Sequence, residues 1–316
     1  MTKKKLISII VPCYNEQESL PLFYEEANRV SKKMKNVDFE MVFINDGSKD
    51  NTLKILRELS KKDERVRYIS FSRNFGKEAG MYAGLEAVKG DYAAIMDADM
   101  QDPPKKLIEM YDIITHEDVD CVALYTESHE GYGFIRKSLT NLWYKIIDKI
   151  SDSHQVPGAR DFRLMTRQMV DSILSMKEYN RYTKGMFGFV GFETKWLAYN
   201  APDRAAGTSK FNMKKLIKYA MEGVVAFSTT PLLLATYVGL LFCLVSFIAI
   251  VFIIIKTLIW GDPTSGWPSM VCIMMFISGI QLFFLGIIGM YLSKIYLEVK
   301  HRPVYLIKET EKDKRG

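Results

Sequence analysis

From its N-terminus the chain alternates short apolar runs with stretches whose apolar positions recur at helical spacing. Leu6 to Val11, Phe39 to Asn45, Val66 to Phe71, Tyr92 to Met96 and Cys121 to Tyr125 read as strands. Glu16 to Lys35, Asn51 to Lys62, Lys77 to Lys89 and Pro104 to His116 read as helices. Strand and helix in alternation predict an α/β fold, a mostly parallel sheet covered on both faces, with ligands beyond the carboxyl ends of its strands. Lys3, Lys4 and Lys5 before Leu6 to Pro12 imitate a secretory signal. The apolar run is only about seven residues, and no small-residue cleavage site follows, so a buried first strand is expected.

The pattern changes at Phe227. From there to Ser293 only Lys256 and Asp262 are charged. Pro231 to Ile255 and Met270 to Leu292 each exceed the roughly 20 apolar residues that cross a bilayer as helix. Lys256 to Ser269, rich in Gly, Pro and Trp, reads as the turn between them, with Trp260 and Trp267 near an interface. Lys210, Lys214, Lys215 and Lys218 precede the pair and Lys294, Lys300 and Arg302 follow it, against Lys256 alone between, so both ends are expected in the cytosol. The mean hydropathy near zero therefore averages a membrane hairpin with a polar domain. A disordered tail protein, a wholly soluble enzyme and a many-span channel are excluded.

Two more stretches are amphipathic. Ile135, Leu139, Leu142, Trp143, Ile146, Ile147 and Ile150, interleaved with Arg136, Lys137, Lys145 and Lys149, have the pattern of a helix lying in the headgroup region. Met213, Leu216, Ile217 and Ala220 with Lys214, Lys215 and Lys218 repeat it. The expected organisation is a cytosolic catalytic domain over 1–226, with interfacial helices at about 135–150 and 212–226. Two membrane helices (231–255 and 270–292) follow within 227–293, and then a basic tail over 294–316.

The predicted strand ends carry the chemistry. Pro12-Cys13-Tyr14-Asn15-Glu16 follows the first strand, Asn45-Asp46-Gly47-Ser48 the second, and Asp97-Ala98-Asp99-Met100-Gln101-Asp102-Pro103-Pro104 the fourth. No G-x-G-x-x-G or Walker sequence offers a glycine cradle for phosphates. Asp97 and Asp99 are hard oxygen donors and Gln101 adds a neutral one, a set suited to Mg²⁺ or Mn²⁺ shared with a diphosphate. Asp46 can cap the next helix and can also accept from the imino N–H of uracil or guanine, while Tyr14 can pack in the core or meet the base or ribose. Cys13, Cys121, Cys243 and Cys272 are too scattered for a zinc or redox motif and read as small apolar side chains.

These motifs in order, with Ser72-Arg73-Asn74-Phe75-Gly76-Lys77-Glu78, Gly158-Ala159-Arg160-Asp161-Phe162-Arg163-Leu164-Met165, Arg204-Ala205-Ala206-Gly207-Thr208-Ser209-Lys210-Phe211 and the hairpin, resemble the family 2 glycosyltransferases of the GT-A fold. Within them the chain is most similar to the polyprenyl-phosphate sugar synthases, the group of bactoprenol glucosyltransferases and dolichyl-phosphate mannose synthases. The resemblance implies that Pro12, Tyr14, Glu16, Asp46 and Asp97 surround the nucleotide, and that Asp97, Asp99 and Gln101 hold the metal. Asp161 matches the position to which a general base is often assigned, although a phosphate with a second pKa of about 6 scarcely needs one. Positioning is the alternative role for it. Arg163, Arg204, Ser209 and Lys210 are expected on the acceptor phosphate. Asn45 departs from the usual acidic pair before Gly47 and leaves one carboxylate for the nucleoside.

The expected activity is inverting transfer of a sugar from a nucleotide-sugar to undecaprenyl phosphate at the cytosolic leaflet. UDP-glucose is the first choice of donor, UDP-N-acetylglucosamine the second, with UDP-galactose and GDP-mannose behind. Nucleic acid is not an expected partner, and the resemblance implies a homo-oligomer. A non-catalytic carrier scaffold or flippase is the rival of another class, though neither span carries an ionisable residue for a transport path. A processive polysaccharide synthase would show a Q-x-x-R-W segment and more spans.

Overall fold

A computed structural model describes residues 4–126, 156, 158–199, 228–260 and 266–313. The amphipathic stretches at 135–150 and 212–226 lie outside the described residues.

The first half of the chain forms β1 (Lys5–Cys13), α1 (Ser19–Lys33), β2 (Val37–Asn45), α2 (Thr52–Lys62), β3 (Val66–Phe71), α3 (Lys77–Ala87), β4 (Tyr92–Ile95), α4 (Lys106–His116) and β5 (Cys121–Tyr125). Then come β6 (Ala159–Thr166), α5 (Arg167–Ser175), α6 (Thr183–Phe189), β7 (Thr194–Ala198), α7 (Thr230–Trp260), α8 (Trp267–Val299) and β8 (Ile307–Thr310). All eight strands join one sheet in the order β7-β5-β6-β4-β1-β2-β3-β8. Strands β3, β2, β1 and β4 are parallel, β6 runs antiparallel to β4 and β5, and β8 runs antiparallel to β3.

The near-continuous apolar sequence of β1 and β2 follows from burial on both faces. Alternate residues feed opposite sides. Ile7, Ile9 and Val11 pack with Phe23 of α1, Leu56 of α2 and Met110 of α4. Ile10, Val42 and Ile44 pack with Met81 and Leu85 of α3 and with Val170 of α5. Helix α3 approaches β1 so closely that a Cβ on Gly84 would lie 2.1 Å from Ile10 Cγ2.

At the carboxyl edge the backbone turns sharply after each parallel strand. Asn15 follows β1 with φ 56°, Gly47 follows β2 with φ 63°, Gly76 follows β3 with φ 98°, and Met100 follows β4 with φ 62°. Four left-handed bends in register fold the connecting loops back over one edge, where polar side chains collect.

Helices α7 and α8 are long and apolar enough to cross a membrane over Thr230–Ala249 and Ile273–Val299, and they present exposed apolar side chains such as Leu240, Phe247, Phe276 and Phe283. At about 1.5 Å per residue, their 31 and 33 residues exceed a hydrocarbon core of about 30 Å. The helices therefore run further than the apolar windows 231–255 and 270–292. Of the turn expected over Lys256 to Ser269, Lys256–Trp260 and Trp267–Ser269 are helical, because one lysine marks the end of the hydrocarbon-compatible stretch without interrupting backbone hydrogen bonding.

The region expected as a basic tail contains an eighth strand. Arg57 Nε and Nη2 donate to Glu309 Oε1 and Oε2 at 2.8 and 2.6 Å, and the Tyr68 hydroxyl donates to Glu309 Oε1 at 3.2 Å. Tyr305 stacks on Phe71 with ring centroids 4.8 Å apart and donates to Glu86 at 2.7 Å.

Candidate active site

The site grows from the four bends. Asn45, at the end of β2 and buried, donates to Ser70 Oγ at 2.8 Å and accepts from the Ser48 N–H at 3.2 Å. An amide supplies donor and acceptor together, so Asn45 serves here as a strut between β2, β3 and the Gly47 turn. Asp46 turns its carboxylate to the following loop, where Oδ1 accepts from the Phe75 N–H at 2.6 Å and Oδ2 from the Gly76 N–H at 2.9 Å. Burial raises its pKa above the usual carboxylate value, against the lowering by the two backbone donors and Arg73. By fixing residues 75 and 76, Asp46 fixes where α3 begins, and the first residue of α3 is Lys77.

Lys77 lies at the centre of the acidic cluster. Its Nζ is 2.7 Å from Asp97 Oδ1, 2.8 Å from Asp97 Oδ2 and 2.5 Å from Asp161 Oδ2. Asp97 follows β4 and Asp161 lies on β6, so the antiparallel pairing of these strands brings together residues 64 positions apart in sequence. Lys184 of α6 adds a second cation 3.9 Å from Asp161 Oδ1.

The electrostatics follow the geometry. Burial pushes the Asp161 carboxyl up, but the charges of Lys77 and Lys184 outweigh it and hold the group well below the usual range. For Asp97, burial wins over Lys77, with Asp161 repulsion added, and its pKa is raised. Burial disfavours the Lys77 ammonium, yet the two carboxylates hold its pKa above the ordinary lysine value.

Asp99 Oδ1 accepts from the Gln101 backbone N–H at 3.1 Å, stabilising the tight turn at Met100. Next to it, buried Asp102 accepts from Arg160 Nε at 3.1 Å and from the Tyr199 hydroxyl, while Arg160 Nη2 lies 3.4 Å from Gln101 Oε1. This clamp holds the Asp97–Asp102 loop against β6 and β7. Among the described residues no three carboxylates, imidazoles or thiolates gather closely enough to hold a cation by themselves. Asp97 and Asp99 are hard oxygen donors two residues apart, a partial ligand set of the kind that Mg²⁺ and Mn²⁺ complete with water and substrate phosphate. The donor chemistry fits a divalent ion shared with a ligand.

Arg163 is buried two residues beyond Asp161. Its guanidinium stacks 3.4 Å from the Phe187 ring centroid, Nη2 donates to the Arg160 carbonyl at 3.1 Å, and Nε has no hydrogen-bond partner among the described residues. Pro12, next to last in β1, lies opposite Ile44, and α3 passes it at Gly80. Tyr14 is half-buried in the loop after β1. Glu16 accepts from Ser19 Oγ at 2.5 Å, while its N–H donates to Thr52 Oγ1 at 2.9 Å. Asp46, Asp97, Asp99 and Asp161 thus share one sheet edge, with Pro12, Tyr14 and Glu16 at the end of the neighbouring β1. Arg204, Ser209 and Lys210 lie outside the described residues.

The residue roles drawn from the sequence include neither Lys77, Lys184, Arg160 nor Asp102. Lysine and arginine at the starts of helices and strands read as solvated charge, and only the cross-strand arrangement brings them to the carboxylates. The signal for Lys77 was its place in the Asn74-Phe75-Gly76-Lys77-Glu78 motif.

Residues 8–174 match the family described as Glycosyl transferase family 2. Over 309 residues the chain is 42% identical to CsbB of Bacillus subtilis (strain 168), whose name carries glycosyltransferase as a provisional designation, across 97% of this chain and 92% of that protein. It is 39% identical over 309 residues to the SfII prophage-derived bactoprenol glucosyl transferase of Shigella flexneri, across 97% and 98% of the two chains. Among solved structures, glucosyl-3-phosphoglycerate synthase from Mycobacterium tuberculosis, in complex with Mn²⁺, UDP-glucose and phosphoglyceric acid, aligns at a TM-score of 0.44 and 16% identity, covering 70% of this chain and 78% of that one. With the family match spanning more than half of its length and end-to-end similarity to such relatives, the chain belongs to glycosyl transferase family 2 and is a glycosyltransferase.

Proposed function

We propose that the protein moves glucose from UDP-glucose to the phosphate of a polyprenyl phosphate, undecaprenyl phosphate in the first instance, with inversion at the anomeric carbon. The reaction takes place at the cytosolic face of a membrane spanned by α7 and α8, with both termini on that side. The observation that carries the reading is the pairing of Asp97 and Asp161 across Lys77 at the carboxyl edge of a parallel sheet whose chain continues into two membrane-length helices. The bactoprenol glucosyl transferases among the relatives support the lipid acceptor and the sugar.

In this reading Pro12, Tyr14, Glu16 and Asp46 border the nucleoside. Asp97, Asp99 and Gln101 would hold Mg²⁺ or Mn²⁺, which when bound would neutralise the charge that accumulates on the leaving nucleoside diphosphate. An acceptor phosphate oxygen forms the new bond to the anomeric carbon as the bond to the UDP oxygen breaks. At a second pKa of about 6 the phosphate arrives already ionised, so no side chain has to remove a proton. Asp161, kept ionised by Lys77 and Lys184, positions those cations. In this reading Arg163, Arg204, Ser209 and Lys210 meet the acceptor phosphate.

The test incubates purified full-length protein with undecaprenyl phosphate and a panel of labelled UDP-sugars and GDP-mannose, and follows the label into the organic phase. Label from UDP-glucose is expected there. Label from another donor alone changes the sugar assignment. No transfer from any donor by folded protein overturns the proposal in favour of a scaffold.

A further inference from the structure

We propose that Lys77 is a place-holding cation: its ammonium fills the space between Asp97 and Asp161 until a metal–nucleoside diphosphate complex arrives, and then transfers to the diphosphate, so that metal and nucleotide bind cooperatively. The proposal rests on the metal and nucleotide reading above.

The geometry leads to it directly. An ammonium has three N–H donors and no acceptor, and three carboxylate oxygens stand within 2.8 Å of Lys77 Nζ: both oxygens of Asp97 and one of Asp161. Both Asp97 oxygens are engaged, so a cation that uses this carboxylate has to displace or share the ammonium. Among the described residues Lys77 is the cation that pairs with Asp97, whereas of the two acids Lys184 reaches Asp161. Without Lys77, Asp97 would face Asp161 with only the more distant Lys184 to offset their charges, and like charges at this range repel strongly in a partly buried site.

Lys77 can also leave. Its side chain is 41% exposed, and lysine carries its charge on a flexible four-carbon stem. Its place in the first turn of α3, the positive end of the helix dipole, is unfavourable for a cation and so depends on the two carboxylates. A free divalent ion entering at Asp97 would add two positive charges beside Lys77 and Lys184. A metal–diphosphate complex brings negative charge with it and offers the displaced ammonium new oxygens. The site therefore discriminates against the bare ion, which in a cell meets many carboxylate pairs, and accepts the complex.

The experiment uses full-length protein in detergent or nanodiscs and measures Mn²⁺ uptake from the electron paramagnetic resonance signal of free Mn²⁺, with and without UDP. Wild type is expected to bind Mn²⁺ more tightly with UDP by a factor within the usual coupling range of about 5–150. In Lys77→Met, Mn²⁺ alone binds more tightly than to wild type, and the coupling to UDP shrinks toward one. Lys184→Met, which removes the other cation and leaves Asp97 paired, keeps the wild-type coupling. Equal Mn²⁺ affinity with and without UDP in wild type overturns the proposal whether or not the variants fold. Undiminished coupling in Lys77→Met, or loss of Mn²⁺ binding there, also overturns it, because Lys77 would then be no competitor. No Mn²⁺ uptake by wild type under either condition removes the metal reading itself, an outcome distinct from the others.

Discussion

Glu298, in the last turn of α8, accepts a hydrogen bond from the backbone N–H of Asn180 at 3.0 Å. Its other oxygen takes the Tyr179 N–H at 3.0 Å, and Lys294 donates to Asn180 Oδ1 at 3.1 Å. The segment so held leads within four residues to Thr183, which donates twice to Glu78, and to Lys184 beside Asp161. Helix α8 is thus bolted to a loop that ends at the candidate active site. Glu298→Ala removes an ionised acceptor from two backbone donors, each such bond being worth about 1.5–3 kcal/mol. Hydrogen exchange at Tyr179 and Asn180 should rise by at least about tenfold, whereas Glu298→Gln, which keeps a carbonyl acceptor, should restore part of the protection.

Asp161 provides a pH prediction. Its folded pKa lies below the ordinary carboxylate value, so its contribution to stability is complete above an unfolded pKa of about 3.9 and is lost only as pH falls toward the lower folded value. It is ionised throughout the neutral range. Any acid limb near pH 6 in kcat/KM for the acceptor should belong to the acceptor phosphate, with its second pKa of about 6. Asp161→Asn should lower kcat and leave that limb in place. Disappearance of the limb would make Asp161 the base.

Gly47 combines φ +63° with a position where a Cβ would lie 2.4 Å from the Arg73 carbonyl carbon. Alanine would add left-handed strain, about 1–3 kcal/mol, and push the Arg73–Asn74 backbone outward. A thermal melt should show Gly47→Ala to be clearly destabilised, and KM for the nucleotide donor should rise, because the displaced loop carries Phe75 and Gly76, which Asp46 grips.

Glu309→Ala leaves Arg57 and the Tyr68 hydroxyl without their acceptor at the outer edge of the sheet. Arg57 is 39% exposed, so water softens the loss, and a cost of about 1–3 kcal/mol is expected. Pairing with Arg57, aided by Tyr68 and opposed by burial, lowers the Glu309 pKa. This edge is therefore fully held above an unfolded pKa of about 4.3 and loosens as pH falls below it. Amide exchange in Ile307–Thr310 should accelerate on acidification in wild type and be fast at all pH values in the variant.

The five strands from Leu6 to Tyr125 were legible because parallel strands buried on both faces are written in apolar residues. Strand β6 was visible only as a motif, since Arg160, Asp161 and Arg163 interrupt the apolar pattern where the strand enters the candidate site. Strand β8 carries Lys308 and Glu309, and its pairing with β3 depends on contacts with Arg57 and Tyr68 roughly 240 to 250 residues earlier. Such pairing has no local signature. The carboxylates of the site were legible from the strand ends. The cations between them were not, because the antiparallel contact of β4 with β6 sets which lysine meets which acid.

The return of the chain to β3 after α8 makes the hairpin an insertion within the folded unit. Tyr305 and Glu309 are synthesised after both apolar helices, so the outer edge of the sheet can close only once the helices have been made. A version freed from lipid would therefore not come from a stop codon ahead of Thr230, which would leave β3 as an open strand inviting aggregation. It would require excising the hairpin and splicing the closing strand back on through a short linker.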